Sequence, residues 1–242
     1  MADPAELEPV AARAWRAAEE ADLGGWRLFA SSGFSGRINA CWPLAPPDRP
    51  TPQAIAAVEA WYAERRLPPV FKLVEAAAPD LTAALAQAGY SADTETLMMT
   101  GPVAGAPDSE VAVRDAVDAG FADVFAAAGG GDPADARERL EALARIAPPR
   151  GFARLDVAGA PAAIGACAVE GDWTGVFGMR TAREHRRQGL ARRVFRALMA
   201  VSAAAGARRG YLQVEADNAA AIALYADEGF AESYRYCYWR KT

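Results

Sequence analysis

Arg186-Arg187-Gln188-Gly189-Leu190-Ala191 decides the fold, because it lies between a predicted strand at 175–181 and the helix that it opens at 190–206. The start of a helix presents several unpaired N–H groups and the positive end of the helix dipole, which together form an anion site. Gly189 lets the main chain approach a phosphate closely, and Ala191 is small enough not to block that approach. The stretch therefore predicts a phosphate-binding loop.

The loop lies inside an arginine-rich run. Seven arginines fall between residues 180 and 196 against the single acid Glu184, although the whole chain has a net charge of -5. A charge run is usually a solvated helix face. The glycine-containing loop within this run favours instead a multiply phosphorylated ligand, to which the arginines would add diffuse charge. The stretch contains neither G-K-[ST] nor G-x-G-x-x-G, which excludes a Walker loop and the dinucleotide fingerprint.

Length and composition describe a globular chain with one large or two small domains. Of the 242 residues, 52% are hydrophobic and 24% are charged, which excludes a disordered, collagen-like or disulfide-framework chain. Alanine accounts for 60 residues and arginine outnumbers lysine 24 to 2, as codon bias in a GC-rich bacterial genome would produce. Alanine-rich stretches therefore carry little weight as evidence for helices.

Charge and cysteine usage indicate the compartment and the class of partner. The net charge of -5 argues against a nucleic-acid binder, which is expected to have a basic surface. Cys41, Cys167 and Cys237 are scattered, as is typical of buried thiols in a reducing cytosol, and the one histidine, His185, does not build a metal site by itself. Because no signal-peptide pattern and no window of about 18 uncharged apolar residues is present, we expect a cytoplasmic protein with no membrane partner.

Hydrophobic periodicity predicts mixed α/β structure, with an antiparallel beginning and a β-α-β crossover late in the second half. The Gly- and Pro-containing stretch at 101–109 is the best linker candidate. The predicted helices are 5–22, 55–66, 81–88, 115–128, 134–146, 190–206 and 219–228. The predicted strands are 26–30, 38–42, 69–74, 94–99, 111–113, 152–157, 162–169, 175–181, 211–214 and 233–240.

The two halves of the chain look alike when position i is set against position i+140. Val74-Glu75-Ala76 then matches Val214-Glu215-Ala216, and Gly89-Tyr90 matches Gly229-Phe230. Six identities fall within residues 74–90, but three of them are alanine, so chance similarity in an alanine-rich chain is the alternative. The same strand-helix-strand order on both sides favours an internal repeat.

Two segments carry a family signature. The loop reads Arg186-x-x-Gly189-x-Ala191, and the segment after its helix reads Asn218-x-x-Ala221-x-x-x-Tyr225-x-x-x-Gly229-Phe230. In order and spacing they resemble the [Q/R]-x-x-G-x-[G/A] and N-x-x-A…Y…G-F motifs of the GNAT superfamily of N-acetyltransferases, over residues 110–240. The resemblance implies an α/β (α+β) fold with a mixed sheet, the acyl-CoA N-acyltransferase (GNAT) fold, and the repeat implies two tandem copies.

The two copies are expected to differ in role. Residues 1–104 would be a degenerate GNAT-like domain without a coenzyme loop, and residues 105–242 the catalytic GNAT N-acetyltransferase domain. The first copy would bind no coenzyme, because the offset of 140 leaves it without the loop and without both polar residues of the site. It would instead support the active half or line its substrate cleft. In that alignment Arg186, Gly189, Ala191, Asn218 and Tyr225 correspond to Pro46, Arg49, Thr51, Ala78 and Leu85.

The resemblance also implies a role for each site residue. Acetyl-CoA would be the cosubstrate, with its pyrophosphate on the backbone amides of Arg187–Arg192 and its pantetheine arm against main-chain groups at Met179 and Thr181. Tyr225 matches the general acid of the family, and Asn218 would bind pantetheine or cap the following helix. The complete implied coenzyme set is Met179, Thr181, Arg186, Arg187, Gln188, Gly189, Leu190, Ala191, Arg192 and Asn218.

The general base is not singled out by the sequence, because the strand that leads to Met179 contains no acid. Glu215 is the first choice for a catalytic base, and Glu170 and Asp172 in the preceding turn are weaker candidates. A water relay, or an amine that loses its proton unaided, is an equal alternative. His185 is expected to be an exposed connector with no catalytic part.

Functions from different classes remain open. The first is an acyl-CoA-dependent N-acetyltransferase that moves the acetyl group of acetyl-CoA directly to a primary amine of a small molecule or peptide. The second is a non-catalytic acetyl-CoA-binding or sensory module, and a third is a nucleotide-binding regulator that would prefer ATP to coenzyme A. The acidic chain favours a cationic amine as acceptor, and we expect a monomer or homodimer.

Overall fold

The computed structural model describes residues 2–129 and 131–241, which contain eleven strands and seven α-helices. This mixture confirms the expected α/β class. The strands are β1 (Glu19–Leu23), β2 (Trp26–Ala30), β3 (Cys41–Pro43), β4 (Val70–Leu73), β5 (Tyr90–Pro102), β6 (Val111–Arg114), β7 (Arg150–Val157), β8 (Ala160–Glu170), β9 (Trp173–Thr181), β10 (Arg209–Glu215) and β11 (Ala231–Lys241). The helices are α1 (Pro4–Ala14), α2 (Thr51–Glu64), α3 (Pro79–Gln87), α4 (Ala119–Gly129), α5 (Pro133–Ala144), α6 (Leu190–Ala204) and α7 (Ala219–Asp227).

The described residues form two compact units that are not continuous along the chain. The first unit contains the residues through Met98, together with Val214–Asn218 and the stretch from Glu232 onward. The second unit contains Met99–Gln213 and Ala219–Ala231. The boundary expected between residues 104 and 105 stays a prediction, since each compact unit consists of more than one segment of the chain.

The second unit consists of an antiparallel meander followed by a parallel crossover. Strands β6, β7, β8 and β9 pair antiparallel in chain order, and β10 pairs parallel with β9, with Leu212 opposite Val176. Helix α6 connects β9 to β10. Val194 and Leu198 on its apolar side are fully buried, and each such side chain contributes roughly 1.5–3 kcal/mol to folding. The meander and the late crossover predicted from the sequence are both confirmed.

The first unit follows the same plan. Strands β1, β2 and β3 pair antiparallel, and β3 pairs parallel with β4, with Cys41 opposite Phe71. Helix α2 makes this crossover, as α6 does in the second unit, and β11 pairs antiparallel with β4, with Trp239 opposite Phe71. The shared order of connections supports two tandem copies of one fold.

Aromatic rings fill the core of the first unit. The ring centroid of Phe71 lies 5.8 Å from that of Trp26 and 5.3 Å from that of Tyr90, and both pairs pack edge to face. The hydroxyl group of Tyr62 donates a 2.9 Å hydrogen bond to the carbonyl oxygen of Phe29, which satisfies the polar end of a buried ring. The interior behind β4 is therefore a packed core.

Two predicted elements near the start of the chain are wrong. The helix expected at 5–22 ends at Ala14, and Glu19–Leu23 forms β1 instead. Gly24, with φ of +60°, makes the tight turn of a β1–β2 hairpin in which Leu23 faces Trp26, so the glycine pair turns a hairpin and does not stop a helix. The strand expected at 38–42 is reduced to Cys41–Pro43, because Gly36–Ile38 forms a 3-10 turn.

Candidate active site

The loop before α6 has the backbone geometry of an anion site. Arg187 has φ of +61° and Gly189 has φ of +78°, so two left-handed residues flank Gln188. Gly189 is the N-cap of α6 and makes no side-chain capping hydrogen bond, which leaves the first amides of the helix without a side-chain acceptor. A Cβ on Gly189 would meet no heavy atom within 4 Å, so the space above the loop is open.

The first turn of α6 carries positive charge where the helix dipole favours negative charge. It contains Arg192 and Arg193 and no acid. Arg193 is held by Asp108 at 2.7 and 2.9 Å, which lowers the pKa of that carboxyl, and Arg192 contacts Asp227 at 2.5 Å. Arg187 has neither an ion pair nor a hydrogen bond among the described residues. Arg187 is therefore the arginine of this group that is best placed for an added anion.

A cavity of about 550 Å³, which we call the loop cavity, lies above this loop. It brings nine predicted site residues together, namely Met179, Thr181, Arg186, Arg187, Gly189, Leu190, Ala191, Arg192 and Tyr225. The lining also includes residues without a predicted role, namely Arg180, His185, Ala220, Ala221 and Leu224. The start of α6, the end of β9 and one face of α7 thus converge on one space.

Tyr225 lies on α7 with only 6% of its surface exposed. Its ring packs against that of Phe195 at 5.5 Å. Burial raises the pKa of Tyr225 to about 12, because the charged phenolate would lose its hydration. The phenol therefore keeps its proton at neutral pH and is a hydrogen-bond donor in the cavity.

Strand β9 is irregular where it lines the cavity. Its register with β8 shifts between the pairs Ala166–Phe177 and Ile164–Arg180, so two residues of β9 face Gly165 alone. Gly178 has φ of +59°, which is typical of a β-bulge. The bulge takes main-chain groups next to Met179 out of the regular β8–β9 ladder.

Three predicted site residues do not line the loop cavity within the described part of the chain. The side chain of Gln188 bends back and donates to the carbonyl oxygen of Glu184 at 3.3 Å. Glu215 and Asn218 are exposed and belong to the first compact unit. The main-chain N–H of Asn218 donates a 3.0 Å hydrogen bond to the carbonyl oxygen of Glu215. The roles implied for these residues stay predictions.

The two weaker candidates for the base lie far from Met179. Glu170 and Asp172 flank the turn between β8 and β9, at the opposite end of β9. Met179 lies six positions after Trp173 along extended chain, which corresponds to roughly 20 Å. Asp172 is also engaged by Arg209 through two hydrogen bonds of 3.0 Å, which lower its pKa.

Sequence reasoning missed two charged or titratable lining residues. His185, expected to be an exposed connector, is half-buried and lines the cavity. Arg180 lies between two predicted site residues on β9, and its guanidinium stands 5.0 Å from the ring of Phe125. Strand alternation gave no signal for Arg180, because it places this side chain on the face opposite Met179 and Thr181. Ala221 had a signal in its helical spacing to Tyr225, four residues later, whereas Leu224 is next to Tyr225 in the sequence and had none from that spacing.

Within residues 2–129 and 131–241, no group of three or more His, Cys, Asp or Glu side chains is arranged to hold a metal ion. No helix in the same ranges is both long and apolar enough to span a bilayer.

Comparison with known proteins identifies similar chains along nearly the whole length. Residues 2–239 match the family described as "Probable histone acetyltransferase Rv0428c C-terminal". The chain is 28% identical over 243 aligned positions to "Uncharacterized N-acetyltransferase YobR" of Bacillus subtilis, covering 96% of each. It is 30% identical over 213 positions to "Probable histone acetyltransferase Rv0428c" of Mycobacterium tuberculosis, covering 86% of this chain and 65% of that one.

A solved structure shows the same fold. The GCN5-related N-acetyltransferase from Kribbella flavida superposes with a TM-score of 0.73 at 17% sequence identity. The superposition covers 100% of this chain and 96% of the other. At this identity the likeness concerns the fold, and it confirms the mixed-sheet architecture predicted from the two motifs.

Proposed function

The chain belongs to the acetyltransferase family of the Rv0428c C-terminal region, within the GNAT superfamily. From this premise we propose that it moves the acetyl group of acetyl-CoA directly to a primary amine of a small molecule or peptide. One observation carries the proposal. The loop cavity joins the uncapped start of α6, the main-chain edge of β9 at Met179 and Thr181, and the phenol of Tyr225. These are an anion site, a strand edge and a proton donor in one space.

The lining suits coenzyme A in shape and charge. Four arginines and one histidine line the cavity, and no carboxylate is among the described lining residues. A diphosphate on the first amides of α6 would offset the positive charge in that turn, which the helix dipole otherwise disfavours. The volume of about 550 Å³ falls within the range of sites for small molecules and cofactors.

The proposed reaction is attack of a neutral amine nitrogen on the thioester carbonyl carbon. A C–N bond forms, the C–S bond breaks, and the proton released by the amine finally resides on the departing sulfur. Full transfer from Tyr225, whose pKa is about 12, to a thiolate of pKa about 8.5 would cost roughly 5 kcal/mol. Tyr225 therefore acts by hydrogen-bonding the sulfur as negative charge develops, and the bulge beside Met179 offers amides for the carbonyl oxygen.

Deprotonation of the acceptor is the open step of this proposal. Glu215 remains the first named base, and a water relay or an amine that binds unprotonated serves equally. The absence of a carboxylate from the described cavity lining also favours a second function, a non-catalytic acetyl-CoA-binding or sensory module. The two functions differ in turnover and agree in coenzyme binding.

The acceptor class, the location and the assembly are further parts of the proposal. The acidic chain supports a cationic amine, and the name of the relative from Mycobacterium tuberculosis favours a peptide amine. Free, buried Cys41 and Cys167 suit a cytoplasmic protein. We expect a monomer or homodimer, with the first unit binding no coenzyme.

The test is a thiol-release assay with acetyl-CoA and a panel of amines. Wild type should release thiol with at least one amine, and Tyr225→Phe should lower kcat by about 10² with little change in KM for acetyl-CoA. Tyr90→Phe is the matched control, because Tyr90 is a buried tyrosine of the first unit that does not line the loop cavity. Equal rates for Tyr225→Phe and wild type would remove the hydrogen-bonding role of Tyr225 in catalysis. Coenzyme binding without release for any amine would favour the sensory module.

A further inference from the structure

The first unit contains a second cavity of about 430 Å³, which we call the tryptophan cavity. Within the described residues, strands β3 and β4 share a single register pair, Cys41 with Phe71, so their parallel ladder is short. Trp42 and Leu73, which follow these paired residues, line the cavity, as do the starts of α2 and α3. The ends of β9 and the starts of α6 and α7 line the loop cavity in the same way. The degenerate copy has therefore kept a cavity at the corresponding place of its fold.

The inner end of the tryptophan cavity holds a buried ion pair. The ammonium of Lys72 contacts Glu8, and its side chain is 0% exposed against 10% for Glu8. The other carboxylate oxygen of Glu8 accepts a 2.8 Å hydrogen bond from Tyr234. Lys72 Nζ also lies 3.7 Å from the ring of Trp42 and 4.0 Å from that of Tyr236. Glu8 is thus the member of the pair that a ligand reaches.

Charge at the cavity favours a cation. The charged lining residues are Glu8, Lys72 and Asp80, and Asp80 is exposed at the rim with no ion-pair or hydrogen-bond partner among the described residues. The charges of these lining residues sum to one negative charge, which a single positive charge on a ligand would cancel; Arg37 acts on Lys72 from outside the lining. An anion would instead add to the two carboxylates, and desolvating such a set is unfavourable. No arginine is among the described lining residues, whereas four line the loop cavity.

The remaining lining is apolar and aromatic. Trp26, Trp42 and the prolines of the β3–α2 connection provide walls for a hydrocarbon body. A carboxylate accepts about four hydrogen bonds, so Glu8 keeps capacity beyond those from Lys72 and Tyr234. An ammonium group near Glu8 and Asp80, attached to an apolar body, satisfies both features of the cavity.

We propose that the tryptophan cavity binds a small protonated primary amine with an apolar or aromatic body, separately from the loop cavity. The ammonium group binds near Glu8 and Asp80, and the body packs against the indole rings. The site requires neither coenzyme nor acetyl transfer.

The test uses the fact that the chain has only two lysines, Lys72 and Lys241. Protein labelled with ¹⁵N at lysine Nζ should give two resonances, which Lys241→Arg assigns. Phenethylamine, added without coenzyme, should shift the Lys72 resonance and leave that of Lys241 unchanged. Burial lowers the pKa of Lys72 to about 8, and a second cation beside Glu8 should lower it further. A Lys72 resonance that does not respond to the amine overturns the proposal.

Matched ligands and variants test the charge argument. Phenethyl alcohol, which has the same body without the charge, should bind about tenfold more weakly than the amine, and phenylacetate more weakly still. Asp80→Asn should weaken amine binding about threefold, as expected for an exposed charge pair. Asp93→Asn is the control, because Asp93 is an exposed carboxylate of the same unit outside the cavity. Equal affinity for amine and alcohol, or equal effects of the two Asp variants, overturns the proposal.

Discussion

Replacing Gly165 with alanine tests whether the side chain of Met179 shapes the loop cavity. A Cβ on Gly165 would lie 2.3 Å from Met179 Sδ and 3.1 Å from side-chain carbons of Leu198 and Val194. Normal contact needs about 3.5–4.0 Å, so the sulfur must withdraw by more than about 1 Å. Because Leu198 and Val194 are already in close contact, Met179 is displaced towards the cavity that it lines.

The magnitude follows from overpacking. A forced methyl group in a packed site costs about 1–3 kcal/mol, and at this chain length each 1 kcal/mol lowers Tm by roughly 2–4 °C. We therefore expect the Tm of Gly165→Ala to fall by roughly 2–12 °C, measured by differential scanning calorimetry. In the thiol-release assay the KM for acetyl-CoA should rise, because the displaced thioether narrows the space beside β9.

Two further variants test whether Met179 causes the effect of Gly165→Ala. Adding Met179→Ala to Gly165→Ala removes the clashing sulfur, so the double variant should regain part of the lost stability, with a coupling energy of about 1 kcal/mol or more. Gly151→Ala is the control on the next strand, where the new Cβ lies 3.1–3.2 Å from Val113 and Cys167 and touches no cavity residue. If Gly165→Ala and Gly151→Ala change Tm and KM equally, Met179 does not shape the cavity.

Three other outcomes are expected. Arg187→Ala should raise the KM for acetyl-CoA about two- to fivefold, and this increase should be smaller at high salt because ions screen the charge. Arg183→Ala should leave the KM unchanged, because Arg183 does not line the loop cavity. Gly189→Ala should lower the free energy of urea unfolding by about 1 kcal/mol, because alanine is strained at the φ of +78°. No protein atom lies within 4 Å of the added Cβ, so a loss of coenzyme affinity measured by calorimetry would indicate a clash between this methyl group and the ligand. The pKa of Lys72 is about 8 in the folded chain and 10.5 in the unfolded chain, so the unfolded chain binds more protons between these two pH values. The free energy of unfolding therefore rises with pH across this window, by at most roughly 3 kcal/mol. Urea unfolding of wild type should show this rise, and a double variant with Glu8→Gln and Lys72→Met should not; equal profiles would contradict the assignment.

The second unit was predictable because its signals are local. The strand, the glycine at the helix start and the amphipathic stripe of α6 follow one another within about thirty residues, and each depends on its neighbours in sequence. The family motifs add Tyr225, whose spacing from Ala221 fixes one face of α7. The local pattern of the loop, together with the family resemblance, predicted nine of the residues that line the loop cavity.

The missed features depend on contacts distant in sequence. The helical pattern of residues 5–22 continues into Glu19–Leu23, and only pairing with β2 makes that segment a strand. Nothing local in Glu215 or Asn218 indicates that they group with the first unit. The ion pair of Glu8 and Lys72 joins residues 64 positions apart, so no motif predicts it.

The position of β11 has a consequence for biosynthesis. Strand β4 has its two neighbours in β3 and β11, and the second of these is translated about 160 residues after it. While the ribosome makes the intervening chain, β4 has an open edge that is able to pair with other polypeptides. We therefore expect chaperone dependence during translation and aggregation of fragments that stop before β11, because β4 gains its second neighbour long after it is made.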